Sequence, residues 1–130
     1  MLKKILIVDD SAALHQIYQM TLSRYLCPVL SSLSGLDGLD QLALNPDVDL
    51  LIVDMYMQPR MGGIEFITRV KEQDAFRNIP VIAVISRGED DSQEANQLAD
   101  GVLKKPFTSR EIHLAVETIM AQAVLEPQTS

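Results

Sequence analysis

Two patterns of apolar residues alternate along the chain, and each predicts a different element. Short apolar runs without polar alternation are typical of strands covered on both faces, and five such runs are present. They occupy residues 5–8, 29–33, 50–53, 81–85 and 102–103. After each run, apolar residues recur at intervals of three or four, as on the buried face of a helix. Five strands alternating with five helices predict an α/β fold whose parallel sheet carries helices on both faces.

The inner faces of the five predicted helices follow from the same spacing. These faces contain Leu14, Ile17, Tyr18, Leu22 and Tyr25 in the first helix, Leu36, Leu39, Leu42 and Ala43 in the second, Ile64, Ile67 and Val70 in the third, Ala95, Leu98 and Ala99 in the fourth, and Ile112, Ala115, Val116, Ile119 and Met120 in the fifth. Ser11 is a suitable N-cap for the first helix, which we expect to run to about residue 27 because Pro28 follows. His15 and His113 fall between the apolar positions, so we expect both side chains to be exposed and without a functional role.

The composition fits one folded domain. The chain has 130 residues, of which 47% are hydrophobic and 22% are charged, and this is enough apolar material for one core. We expect the domain to span residues 1–125, with a frayed tail at 126–130. No apolar run approaches the roughly 20 residues of a membrane-spanning helix. The apolar run near the start of the chain is too short for a secretory signal, and acidic residues follow it directly. We therefore expect a cytoplasmic protein without a membrane segment.

The charge and the cysteine count exclude several classes of function. The single cysteine, Cys27, cannot form a disulfide within the chain, and it cannot complete a structural zinc cage with only two histidines. The net charge of -7 opposes a phosphate backbone, so we do not expect nucleic acid to be a direct ligand.

Five polar or charged side chains at the ends of four predicted strands are candidates for a functional site. They are Asp9, Asp10, Asp54, Ser86 and Lys105. Because ligands of parallel α/β sheets bind beyond the carboxyl ends of the strands, we expect these side chains to converge on one edge of the sheet. Three carboxylates packed there would raise one another's pKa values unless a cation neutralised them. Oxygen ligands without a nearby histidine or cysteine favour Mg²⁺.

This edge also predicts a kind of chemistry. A carboxylate held beside Mg²⁺ and a lysine ammonium can act as a nucleophile toward a phosphoryl group, because both cations offset charge on the transferring oxygens. The Ser86 hydroxyl could then bond the new phosphoryl oxygen and move its loop. A simpler interpretation stays open for some of these residues. Acidic residues after strands, such as Asp9 and Asp10, are often only helix caps, and serine is a common turn former.

Four segments of the chain resemble the receiver domain of bacterial two-component response regulators. These segments are KILIVDDS at 4–11, LIVDM at 51–55, PRMGG at 59–63 and DGVLKKP at 100–106. The resemblance covers nearly the whole chain, and the four segments together are highly specific. It implies a flavodoxin-like (CheY-like) sheet in the strand order 2-1-3-4-5.

The resemblance also implies roles for individual residues. Asp54 would be the phosphoacceptor, and Asp9 and Asp10 would help to bind Mg²⁺, with Asp10 as the direct ligand. The backbone carbonyl of Tyr56 would complete the protein ligands of the metal. Lys105 would pair with the acceptor carboxylate and with its phosphoryl group, and the bond from this lysine to the following proline is expected to be cis.

The same resemblance implies partners. A sensor histidine kinase or a phosphotransfer protein would supply the phosphoryl group. The signal would pass by protein-protein contact to an unknown downstream target, or to an effector domain outside this chain. Catalysis would be limited to phosphorylation and dephosphorylation of the chain itself, so we do not expect a metabolic enzyme.

Two departures from the family pattern leave other functions open, and the first is a segment from residue 86 to 105 that is about three residues shorter than is usual in the family. Counting from Pro80 puts the expected switch hydroxyl at Ile85, whereas the serine comes one place later, at Ser86. A receiver-like interaction module that works without phosphorylation, with an altered switch, is therefore an alternative. A flavin protein or phosphohydrolase on the same sheet is a third hypothesis. It lacks support because the turn after the first strand is acidic and contains no Asp-x-Asp motif.

Overall fold

The computed structural model describes residues 2–57, 61–86 and 92–125, so the predicted tail at 126–130 lies outside the described residues. The elements are β1 (Ile5–Val8), α1 (Ala12–Leu22), β2 (Val29–Ser32), α2 (Gly35–Leu44), β3 (Leu50–Asp54), α3 (Gly63–Lys71), β4 (Val81–Ser86), α4 (Ser92–Leu98), β5 (Gly101–Lys105) and α5 (Ser109–Leu125). The strands form one parallel sheet in the order β2-β1-β3-β4-β5. The predicted fold class and strand order are confirmed.

The sheet separates two hydrophobic layers, because successive side chains of a strand point to opposite faces. Leu6 and Val8 of β1 belong to the layer that packs beneath α2, α3 and α4. Ile5 and Ile7 belong to the layer beneath α1 and α5. All four side chains are fully buried, and each burial contributes roughly 1.5–3 kcal/mol to stability. The two layers therefore fix the strand ends from both sides.

Local capping begins two helices close to strand ends. The Ser11 hydroxyl accepts a hydrogen bond from the Leu14 amide at 3.2 Å, which confirms the predicted N-cap of α1. At α5, the Thr108 hydroxyl accepts from the Glu111 amide at 3.1 Å, and the Glu111 carboxylate accepts from the Thr108 amide at 3.0 Å. This reciprocal pair is a capping box. None of the helices in the described ranges is long and apolar enough to cross a bilayer.

The inner face of α1 differs from the prediction. Its buried side chains are His15, Tyr18 and Leu22, whereas Ile17 is 40% exposed. Successive residues of a helix are rotated by about 100°. When positions 15, 18 and 22 face the sheet, position 17 therefore points away from it. The regular helix also ends earlier than predicted, at Leu22, and continues as one 3-10 turn before Leu26 adopts a left-handed φ of 55°.

The inner face of α2 also differs from the prediction, because glycine makes the contact. Leu36 is 49% exposed, whereas Gly38 is buried against the neighbouring elements. A Cβ atom at Gly38 would lie 2.8 Å from the Phe66 ring and 3.0 Å from the Val8 side chain. This close approach requires glycine and sets the rotation of the helix.

Candidate functional site at the carboxyl end of the sheet

The carboxyl ends of three strands bring four charged side chains together. Asp54 ends β3, Lys105 ends β5, and Asp9 and Asp10 directly follow β1. Carboxylate oxygens of the three aspartates all lie within 4.8 Å of one another. Asp9 and Asp54 are only 1% and 5% exposed, whereas Asp10 is exposed to solvent. The predicted convergence is confirmed for these residues, and we call the cluster of Asp9, Asp10, Asp54 and Lys105 the strand-end site.

Both carboxylate oxygens of Asp54 have a hydrogen-bond partner. Oδ1 accepts from the backbone amide of Tyr56 at 3.0 Å, within the turn that follows β3. Oδ2 accepts from the ammonium of Lys105 at 3.0 Å, across the intervening strand β4. The bond from Lys105 to Pro106 is cis, as expected. The Asp54 carboxylate is therefore held in one orientation by a neutral donor and by a charged donor.

Asp9 is less well compensated than Asp54. Its Oδ1 accepts from the Ser11 amide at 2.9 Å. Its Oδ2 is buried, makes no hydrogen bond within the described part of the chain, and lies 3.6 Å from the ammonium of Lys105. Burial raises the pKa of the Asp9 carboxyl and the charge of Asp54 raises it further, although the Ser11 amide and Lys105 lower it. The charged form of Asp9 is thus disfavoured unless another cation is near.

The donor set of the strand-end site fits Mg²⁺. When all are ionised, three carboxylates face one ammonium, so the cluster carries excess negative charge. The orphaned Oδ2 of Asp9 offers a buried oxygen to a cation. Oxygen donors of this kind suit a hard divalent ion that keeps part of its water shell. Asp9, Asp10 and Asp54 are the side chains that could hold it.

Close packing between the start of α3 and the end of β3 helps to fix the position of Asp54. Gly63 is the first residue of α3 and is buried against the backbone of Asp54. A Cβ atom at this position would lie 2.1 Å from the carbonyl oxygen of Asp54 and 2.7 Å from the Cα of Met55. Only glycine permits this contact, because every other side chain begins with a Cβ.

His15 is a residue of the site that the sequence did not reveal. The prediction that it is exposed is wrong, since its side chain is only 6% exposed. Its Nε2 lies 2.8 Å from the backbone carbonyl oxygen of Asp9. A carbonyl only accepts, so Nε2 carries the hydrogen and donates it to the turn that positions the acidic pair. The signal that could have revealed it is the helical spacing of His15, Tyr18 and Leu22 on one face.

The end of β4 separates the two candidates for the switch position. Ile85 is 2% exposed and packs in the layer beneath α2, α3 and α4. Ser86 is half-buried, pairs in register with Lys105, and shares a groove with Lys105 and Leu14 on the opposite side of the sheet. Ser86, and not Ile85, therefore lies on the same side of the sheet as the lysine of the strand-end site.

Comparisons with known proteins agree with this geometry. The sequence profile described as "Response regulator receiver domain" matches residues 5–117. Chemotaxis protein CheY1 of Helicobacter pylori is 31% identical over 121 residues, which cover 90% of this chain and 96% of the relative. Among solved structures, chemotaxis response regulator CheY4 of Vibrio cholerae has a TM-score of 0.81 at 27% identity, over 92% of this chain and 99% of that chain. A response regulator receiver domain protein from Clostridium thermocellum has a TM-score of 0.80 at 26% identity, over 95% and 98%.

Proposed function

We propose a function for this chain, which belongs to the family of response regulator receiver domains. Asp54 accepts a phosphoryl group from a sensor histidine kinase or a phosphotransfer protein, with Mg²⁺ held in the strand-end site. The signal then passes by protein-protein contact to a downstream target or to an effector domain. The protein works in the cytoplasm, and its catalysis is limited to its own phosphorylation and dephosphorylation. The observation that carries this proposal is the 3.0 Å contact between Asp54 and Lys105 within a cluster of three carboxylates.

Asp54 is the nucleophile in this proposal. The Tyr56 amide and the Lys105 ammonium hold its two carboxylate oxygens before a phosphodonor arrives, which lowers the entropic part of the barrier. One carboxylate oxygen forms a bond to phosphorus while the bond from phosphorus to the leaving group breaks, and the leaving group keeps the electron pair. The ammonium of Lys105 offsets negative charge on the transferring oxygens.

The groups that hold Mg²⁺ are Asp9, Asp10 and Asp54, together with the backbone carbonyl of Tyr56. Bound Mg²⁺ supplies charge neutralisation on the phosphoryl oxygens. The buried Oδ2 of Asp9, which makes no hydrogen bond to another described residue, supports this assignment. Ser86 then responds to the new phosphoryl group, since it is paired with Lys105 on the same side of the sheet.

A second function rests on Ile85. This residue occupies the place where counting along the chain puts the switch hydroxyl, and it is buried in the core. A receiver-like module that binds partners without phosphorylation would need no hydroxyl there. The strand-end site argues against this alternative. Its two buried carboxylates destabilise the fold, and a module that works without phosphorylation would gain nothing from keeping them.

Acetyl phosphate and Mg²⁺ test the proposed function. Incubation of the protein with both, followed by mass spectrometry of the intact chain, should show one added phosphoryl group. Chelation of the metal and the substitution Asp54→Asn should each abolish the adduct. Asp40→Asn is the matched control, since Asp40 is an exposed aspartate of α2, and this variant should still be modified. If the unaltered protein stays unmodified while it binds Mg²⁺, the phosphorylation-independent module is the better description.

A further inference from the structure

A second cluster of charged side chains lies between α1 and α5, away from the strand ends. It lines an open groove of about 640 Å³ whose charged or ionisable side chains are all basic. We call it the α1–α5 groove, and its lining residues are Met20, Thr21, Arg24, Ser109, Arg110 and His113. A basic groove of this kind is unexpected in a chain with a net charge of -7.

The two arginines of the groove are unlike the other described arginines. Arg69 pairs with Glu65, and Arg77 pairs with Asp74. Arg24 and Arg110 are exposed, and neither forms an ion pair with a carboxylate in the described ranges. Two guanidinium groups that share a groove repel each other modestly in water, and a bound anion would remove that repulsion.

The start of α5 adds to the positive potential of the groove. Ser109 and Arg110 are the first two residues of this 17-residue helix. The amides of Ser109 and Arg110 have no helical carbonyl one turn earlier to which they could donate. In the capping box, the Thr108 amide donates to the Glu111 carboxylate, and the Glu111 amide donates to the Thr108 hydroxyl. The positive end of the helix dipole, which the Glu111 carboxylate already offsets in part, lies beside the arginines and adds to their attraction for an anion.

His113 is held in place by a neighbour from the 3-10 turn. The Tyr25 hydroxyl donates to a carboxylate oxygen of Glu117 at 2.8 Å. Since a hydroxyl carries one hydrogen, the oxygen of Tyr25 accepts the second contact, from Nδ1 of His113 at 2.8 Å. The nearby carboxylate of Glu117 is thus hydrogen-bonded to Tyr25, and Glu117 is not one of the residues that line the groove. Nδ1 carries the hydrogen in this arrangement, so Nε2 of the neutral His113 ring is an acceptor and does not donate to an anion; the donors of the groove are the arginines and Ser109.

We propose that the α1–α5 groove binds a phosphate dianion, either as free phosphate or as the phosphate group of a small metabolite. A guanidinium group donates paired hydrogen bonds to a carboxylate or to a phosphate, but a phosphate has enough oxygens to engage two arginines at once, whereas a carboxylate has only two. Two arginines, the Ser109 hydroxyl and the start of α5 together provide this recognition. The site is separate from Asp54, so it does not depend on the proposed phosphorylation.

An NMR titration tests this proposal directly. Inorganic phosphate and glycerol phosphate are added in turn to the Asp54→Asn variant without Mg²⁺, with sodium chloride at matched ionic strength as the reference. Amide shifts should concentrate at residues 109–113 and at Arg24. Tighter binding of glycerol phosphate points to a metabolite, and equal binding points to free phosphate.

A double substitution separates a defined site from general attraction. Arg24→Gln with Arg110→Gln should weaken phosphate binding roughly tenfold or more, because charged hydrogen bonds are lost. Arg69→Gln with Arg77→Gln makes the same change in net charge elsewhere on the surface, and it should leave the affinity unaltered. Equal weakening by both pairs, shifts confined to the strand ends, or preference for a glutamate-rich peptide over phosphate would each overturn the proposal.

Discussion

The strand-end site and the α1–α5 groove are both clusters of charged side chains, but they are built in opposite ways. In the strand-end site, carboxylates and a lysine are mixed, and Asp9 and Asp54 are almost fully buried. In the groove, Arg24 and Arg110 carry the same sign and are exposed. Mixed charges at close range suit a chemical step, because the reacting group is oriented in advance. Charges of one sign at the surface suit capture of an oppositely charged ligand.

The difference in burial has an energetic consequence. Substitutions in the strand-end site should change the stability of the fold, because they alter packed or desolvated groups. Substitutions in the groove should change ligand binding and leave stability nearly unaltered. Three variants, from the largest expected effect to the smallest, test this contrast.

Gly63→Ala should have the largest effect, because it breaks the packing beneath the strand-end site. The new Cβ would lie 2.1 Å from the Asp54 carbonyl oxygen and 2.7 Å from the Cα of Met55, and both of these neighbours are backbone atoms. We expect the free energy of unfolding to fall by about 3 kcal/mol, which urea denaturation would measure. Phosphorylation of Asp54 by acetyl phosphate should slow as well, since the carboxylate moves with its backbone.

Gly62→Ala is the matched control for this variant. The backbone of Gly62 has a φ of -68°, which any residue adopts, and a Cβ there would lie 3.2 Å from the Met57 carbonyl oxygen. A small shift relieves that contact, so the loss of stability should be much smaller. Equal losses in the two variants would mean that the packing of Gly63 against Asp54 does not govern the site.

The strand-end site could be predicted from the sequence for a physical reason. Asp9 and Asp54 each follow an unbroken apolar run, and the ends of parallel strands meet at one edge whatever the details of helix packing. The choice between Ile85 and Ser86 was open, because the sequence does not give the register of β4. The structure pairs Ser86 with Lys105 in register and buries Ile85 in the core, which favours Ser86.

The rotation of the helices and the α1–α5 groove could not be predicted in this way. Whether Ile17 or His15 faces the sheet depends on a rotation of the helix that only its packing partners determine. Arg24 and Arg110 are far apart in the chain and come together because α1 packs against α5. No local sequence pattern predicts that contact. The charge count of the sequence shows only that the chain is acidic overall.

His15→Phe tests whether α1 holds the acidic pair of the strand-end site. The substitution keeps a buried ring but removes the donor to the Asp9 carbonyl. An unsatisfied buried carbonyl costs about 2 kcal/mol, so urea denaturation should show a loss of this size, and Mg²⁺ affinity should fall. His113→Phe removes a half-buried histidine from the groove, and it should cost less than about 1 kcal/mol without any change in Mg²⁺ affinity.

His15→Gln supplies an N–H donor in place of the imidazole and should recover part of both losses. A His15→Phe protein with normal stability and normal Mg²⁺ affinity would show that the contact with Asp9 is incidental. The contrast between the two clusters would then rest on the carboxylates alone.

The smallest expected effect, and the one of opposite sign, comes from Asp9→Asn. Removal of one buried charge from three crowded carboxylates should raise the free energy of unfolding of the metal-free protein by about 1 kcal/mol at neutral pH. The pKa of Asp9 is raised in the folded state, so its ionisation destabilises the fold as the pH rises. The advantage of the variant should therefore disappear as the pH falls through that raised pKa and below 3.8, the ordinary value.

Arg24→Gln is the counterpart of this variant in the groove, because it too removes one charge from a cluster. The guanidinium is exposed and solvated, so stability should change by less than about 0.5 kcal/mol at every pH in the series. Mg²⁺ should stabilise the unaltered protein and the Arg24→Gln variant equally, but it should stabilise Asp9→Asn less. A metal-free Asp9→Asn protein that is less stable than the unaltered one would mean that the Lys105 contact compensates Asp9 fully, and that the buried cluster carries no excess charge for a cation to neutralise.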